Sequence, residues 1–95
     1  MDSTKLSENT DFLFDCILAI ETKKECRAFF EDLCTIPEIK AMAQRAEVAK
    51  LLSEKKVYSE IVEETGASTA TISRVNRSLA YGSGGYSEIF SKVQK

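Results

Sequence analysis

Between Phe12 and Ile20 the chain carries Phe12, Leu13, Phe14, Cys16, Ile17, Leu18 and Ile20, a run that is apolar around most of a helix's circumference. A helix of that kind has to be covered on more than one side. With 95 residues the chain makes one small domain, and such a domain buries only about 60–65% of its unfolded surface. The missing cover is most easily supplied by a second copy of the chain. This one segment restricts the fold to helical architectures whose core is completed by pairing.

The segments that follow also read as helices. Thr22-Lys23-Lys24-Glu25 has the form of a capping box, in which Thr22 and Glu25 each satisfy a backbone N–H left over at a helix start. Cys26, Phe29, Phe30 and Leu33 then recur at helical spacing. Thr35-Ile36-Pro37-Glu38 is a second capping box, with Pro37 in the first turn, where a missing N–H costs little. The third helix is expected to run to about Lys56, with Ile39, Met42, Ala43, Ala46, Ala49, Leu51 and Leu52 turned inward. Strand-like alternation is absent throughout, so the expected fold class is all-α.

The pattern changes after Val57. Ile61 and Val62 are expected on the inner face of a short helix, and Gly66 follows where the chain has to reverse. Glycine reaches the left-handed conformation without steric cost. Ser68 can cap the next helix, which Ile72, Val75 and Leu79 hold to the core by one stripe. What remains outward is Thr69, Ala70, Thr71, Ser73, Arg74, Asn76 and Arg77. Small hydroxyl and methyl groups let a helix reach the floor of the DNA major groove. There Thr and Ser bond bases or phosphates, Ala or a Thr methyl meets the thymine methyl, and Arg takes guanine or a phosphate. The expected DNA-binding residues are therefore Ser68, Thr69, Ala70, Thr71, Ser73, Arg74 and Arg77.

Charge and composition narrow the function further. Thirteen basic and fifteen acidic residues leave a net charge of −2, which counts against indiscriminate nucleic-acid binding. The distribution matters more. Glu60 to Glu64 holds three acids and no base, whereas Ser68 to Tyr81 holds Arg74 and Arg77 and no acid. The chain has no histidine, its cysteines lack metal-ligand spacing, and no serine sits in a nucleophile elbow. An enzyme is not expected, nor a metal site. Cys16, Cys26 and Cys34 are odd in number and lie among apolar residues, and they read as buried, reduced thiols rather than a disulfide. With no apolar run of roughly 18–20 residues and no signal-peptide pattern, a cytoplasmic protein without a membrane span is expected.

Three stretches together resemble the Trp-repressor-like family, and most closely its YerC/YecD-type branch. They are Ala41-Met42-Ala43-Gln44-Arg45, Thr65-Gly66-Ala67-Ser68-Thr69-Ala70-Thr71-Ile72-Ser73-Arg74, and Tyr81-Gly82-Ser83-Gly84-Gly85-Tyr86, within a match from Asp32 to Tyr86. The resemblance implies a domain of about six helices in an intertwined homodimer, with two helix-turn-helix units facing successive major grooves of a near-palindromic double-stranded DNA site. The residue pattern itself divides one domain over 1–95 into a flexible tail (1–8), dimerisation and core helices (9–56), the helix-turn-helix (57–81), a hinge (82–85) and a C-terminal helix (86–95) packed through Tyr86, Ile89, Phe90 and Val93. The resemblance also maps an effector pocket onto Thr35, Arg45, Arg74 and Ser78. Val75, however, stands where tryptophan-binding members have glycine, the chain is one residue shorter just before Ile61, and Glu63 replaces a basic residue. No cofactor is expected, and tryptophan or another small effector stays open. Arg45 has a second reading, an ion pair with Glu47, with Glu38 or across the dimer.

Gly82-Ser83-Gly84-Gly85 lacks the preceding strand and the Lys-Ser/Thr of a phosphate-binding loop, and reads as a helix stop and hinge. Two functions remain in competition. The first is a sequence-specific DNA-binding regulator, expected to repress transcription. The second is a helical dimeric protein-interaction module without specific DNA binding.

Overall fold

A computed structural model describes residues 7–93. Its helices are α1 (Glu8–Leu18), α2 (Lys23–Leu33), α3 (Ile36–Ser53), α4 (Tyr58–Thr65), α5 (Thr69–Tyr81) and α6 (Gly85–Val93), with no strand among the described residues. The expected polar tail at 1–8 lies largely outside the described residues. Ser7 caps α1, accepting the Thr10 N–H at 3.4 Å, and Glu8 opens the helix.

Local chemistry sets these starts. The Thr22 hydroxyl accepts the Glu25 N–H at 3.1 Å, while the Glu25 carboxylate reaches one residue further back, to the Glu21 N–H at 2.9 Å. The second box closes on itself. The Thr35 N–H donates to the Glu38 carboxylate at 2.7 Å, and the Glu38 N–H to the Thr35 hydroxyl at 3.2 Å. The backbone and side-chain bonds to Thr35 hold the Glu38 carboxyl below the usual glutamate range. Because the folded value is the lower one, this contribution is present above the ordinary glutamate range and is lost as the pH falls through the lowered value.

The chain divides into two compact units, Met1–Ile39 and Lys40–Lys95. In the first, neither α1 nor α2 buries a residue, and Phe12 is 69% and Leu18 82% exposed. Phe29 and Phe30 meet edge to face, with ring centroids 5.7 Å apart. Cys16, Cys26 and Cys34 are free thiols, half-buried rather than buried.

The second unit holds the core. Val48, Ala49, Leu51, Ile61, Ala67, Ile72 and Val75 are buried together, with Leu52, Leu79, Tyr86 and Phe90 packed against them. The sequence expectation needs four corrections here. Val48 is buried although it was not expected inward, whereas Ala43 and Ala46 are exposed. Helix α3 contributes Val48, Ala49 and Leu51 to the core, with Leu52 packed against it. Val62 is exposed, because one step along a helix from buried Ile61 turns a side chain by about 100° off the inner face. In α6, Tyr86 and Phe90 pack on the core, whereas Ile89 and Val93, on the same broad face of the helix, stay exposed.

The last correction concerns the end of α3, at Ser53 rather than near Lys56. The Lys56 N–H donates to the Leu51 carbonyl at 3.1 Å and the Lys55 N–H to that of Leu52 at 3.0 Å, the paired bonds of a Schellman stop. Lys55 takes the left-handed position, with φ of 66°. An L-residue there costs about 1–2 kcal/mol, part of which glycine would give back through its freer unfolded chain. Lys55→Gly is therefore expected to stabilise the protein by about 0.5–1 kcal/mol, read as a higher denaturant midpoint. A lower midpoint would contradict the assigned geometry.

Candidate nucleic-acid interface

Helices α4 and α5 are joined by a turn that each of its residues explains. Gly66 sits at φ 71° and its N–H donates to the Val62 carbonyl at 2.8 Å, ending α4. Ala67 is buried, so the turn is tied down from inside. The Ser68 hydroxyl then accepts the Thr71 N–H at 3.1 Å and opens α5. A Cβ at Gly66 would meet nothing within 4 Å, so only the backbone angle requires glycine. Gly66→Ala is accordingly expected to cost about 1–2 kcal/mol with no clash against the rest of the protein, seen as a lowered melting temperature that Gly66→Asn partly recovers.

Ile72 and Val75 are buried, and Leu79 is half-buried against the same cluster. Their stripe fixes what α5 turns outward. Ser68, Thr69, Ala70, Ser73, Arg74, Asn76 and Arg77 are all exposed. Thr71 is half-buried, and its Oγ1 accepts the Ser68 hydroxyl at 3.1 Å, which leaves the Thr71 O–H free to donate outward. Ser73, Arg74 and Arg77 line one shallow depression. No acid lies in α5, while Glu60, Glu63 and Glu64 are exposed on α4. The unit thus presents a cationic, hydroxyl-bearing helix beside an acidic one.

Of the four residues mapped to an effector pocket, Thr35 precedes α3, Arg45 lies in it, and Arg74 and Ser78 lie in α5. Arg74 lines the depression with Ser73 and Arg77. Ser78 lines another with Gly82, Gly84, Tyr86 and Ile89. Thr35 is engaged in the Glu38 capping box, and Arg45 is exposed on α3. Val75, at 2% exposure, is a member of the core. At the end of α5, the Gly82 N–H donates to the Ser78 carbonyl at 2.9 Å, and a Cβ at Gly82 would collide with that same oxygen.

With this geometry in view, the comparisons with known proteins agree. The family described as Trp repressor protein matches residues 8–94. The chain belongs to the Trp repressor family. YerC of Bacillus subtilis (strain 168) is 52% identical over 85 residues, which cover 90% of this chain and 82% of that protein. A TrpR-like protein from Eubacterium eligens ATCC 27750 superposes with a TM-score of 0.90 at 51% identity, over 93% of this chain and 91% of the other. A candidate Trp repressor from Staphylococcus aureus gives 0.90 at 46% identity, over 94% and 89%. The family is one of repressors rather than enzymes, the YerC branch is the right one, and the all-α fold is that of TrpR-like proteins. No helix among the described residues is long and apolar enough to cross a membrane.

Two residues of this unit escape a sequence reading. Thr65 closes α4 with bonds on both sides of its hydroxyl, and Gln44 reaches it from α3. A threonine directly before a helix-ending glycine is the one local signal that something is fastened there.

Proposed function

We propose that this protein is a sequence-specific DNA-binding regulator of transcription, a repressor, acting in the cytoplasm through the outward face of α5. The acid-free face bearing Thr69, Ala70, Ser73, Arg74 and Arg77 carries this reading, because it is turned outward by the buried Ile72–Val75 stripe that holds α5 to the core. Thr69, Ala70, Thr71 and Ser73 approach base edges, Ser68 and the first turn of α5 meet a phosphate, and Arg74 and Arg77 grip bases or phosphates.

Two copies act together. The uncovered apolar residues Phe12, Phe14, Leu18 and Leu33 supply the surface that a second chain covers. A two-fold dimer presents two α5 helices to half-sites about one helical turn apart, so the site is a near-palindrome. Tryptophan is not required in this reading, because Val75 already fills the space beneath α5 with core. Thr35, Arg45, Arg74 and Ser78 remain the residues through which a small effector would act.

The acidic face of α4 favours the competing reading, a dimeric protein-interaction module. Selection of bound sequences from a random DNA pool decides between them, run with and without tryptophan and with Arg74→Ala. Enrichment of a palindrome that the variant loses is the expected result. Enrichment of nothing, with weak binding that disappears uniformly as salt rises, would move the interaction module ahead.

A further inference from the structure

Thr65 is the last residue of α4, so its carbonyl is among those that no N–H of the helix reaches. The Gln44 side-chain amide takes it, with Nε2 3.1 Å from the oxygen and both groups partly buried. The Thr65 hydroxyl meanwhile donates to the Ile61 carbonyl at 2.7 Å and accepts the Ala67 N–H at 3.1 Å. One residue thus joins α3, α4 and the turn into α5. Gln44 lies 21 positions away in the chain. The other side-chain hydrogen bonds among the described residues join groups no more than four positions apart.

Apolar burial holds Ile61, Ala67 and Ile72 together but is non-directional, and it leaves helices free to slide by fractions of an ångström. A hydrogen bond has a preferred line. We propose that Gln44 is a positioning residue for α5: its amide fastens the α4–α5 turn to α3 and so sets the angle at which the outward face of α5 is presented. This rests on the reading of α5 as the helix that contacts DNA. Phosphates tolerate a small change of angle, whereas base edges do not. Loss of the bond should therefore reduce discrimination between sequences more than it reduces affinity for any duplex.

The test uses the full chain with Gln44→Met, which is neutral and of similar length, and Gln44→Leu as a second variant. Ser53→Ala is the control, since it removes a bond of the same kind on α3, from Ser53 Oγ to the Ala49 carbonyl at 2.9 Å, that does not reach the turn. The ratio of the scrambled duplex's dissociation constant to the selected duplex's is expected to fall about tenfold in both Gln44 variants. Scrambled-duplex affinity should change less than about twofold, and the Ala67 amide should exchange faster with solvent. An unchanged ratio, or an equal fall in Ser53→Ala, would overturn the proposal. In the unaltered protein the Gln44 side-chain amide protons should exchange slowly, and free exchange would overturn it even if neither variant folds. If the unaltered protein prefers no duplex, the DNA-binding reading is what fails. Slow Gln44 exchange with faster Ala67 exchange in Gln44→Met would then still uphold the fastening, and their absence would remove it.

Discussion

Ile72→Ala is expected to destabilise the protein by about 2–5 kcal/mol, the range for removing a fully buried isoleucine side chain and leaving part of its space empty. The magnitude matters because the whole stability of a chain this size is roughly 5–15 kcal/mol. Ile72 is 0% exposed and sits among Val48, Ile61 and Val75. With seven residues in that buried cluster, few neighbours are available to collapse into the gap. Ser73→Ala, one position along and exposed, should stay within about 0.5 kcal/mol of the parent. Chemical denaturation at fixed protein concentration measures both, since the proposed pairing would make stability depend on concentration. A cost below about 1 kcal/mol for Ile72→Ala would mean that α5 is not packed as described. The contrast also matters for function, because a helix whose inner stripe is loosened cannot hold its outer face steady.

Features written within a few residues of one another could be read from the sequence. Thr22, Thr35, Ser68 and Gly66 act on backbone groups at most four positions away, and each occupies the cap or turn position expected of it. The outward face of α5 was legible for the same reason, as the complement of Ile72, Val75 and Leu79 on one short helix. What the sequence hid depends on neighbours far along the chain. Val48, Val62, Ile89 and Val93 have equal claims to be inside on composition, and only the arrangement of α3 to α6 decides among them. Lys55 was hidden for a different reason: a left-handed lysine is unfavourable by itself and is held there by the two bonds that close the Schellman stop. Gln44 belongs to the first group, since nothing around it in the sequence indicates that its partner is the Thr65 carbonyl.

Arg74→Ala has the largest expected effect on binding. An arginine paired with a guanine edge contributes about 1–3 kcal/mol of discrimination. A two-fold dimer would lose that pair in both half-sites at once, so the change for the whole site doubles to about 2–6 kcal/mol, or roughly thirtyfold to twenty-thousandfold in affinity. If Arg74 instead grips a phosphate, the loss is uniform over sequences, and the slope of log affinity against log salt falls by about 0.9 per contact. Titrating a selected and a scrambled duplex at several salt concentrations separates the two roles. Arg77 shares the depression with Arg74 and Ser73 and provides the internal comparison. We expect the sequence-dependent loss for the arginine nearer the start of α5, which enters the groove first, and the salt-dependent loss for Arg77. Glu63→Gln should move in the opposite direction on both duplexes, because it removes an exposed negative charge from the helix next to α5. Unchanged binding in all three variants would place the contact surface elsewhere on the molecule, and α5 would then be a core helix whose polar face is simply solvated.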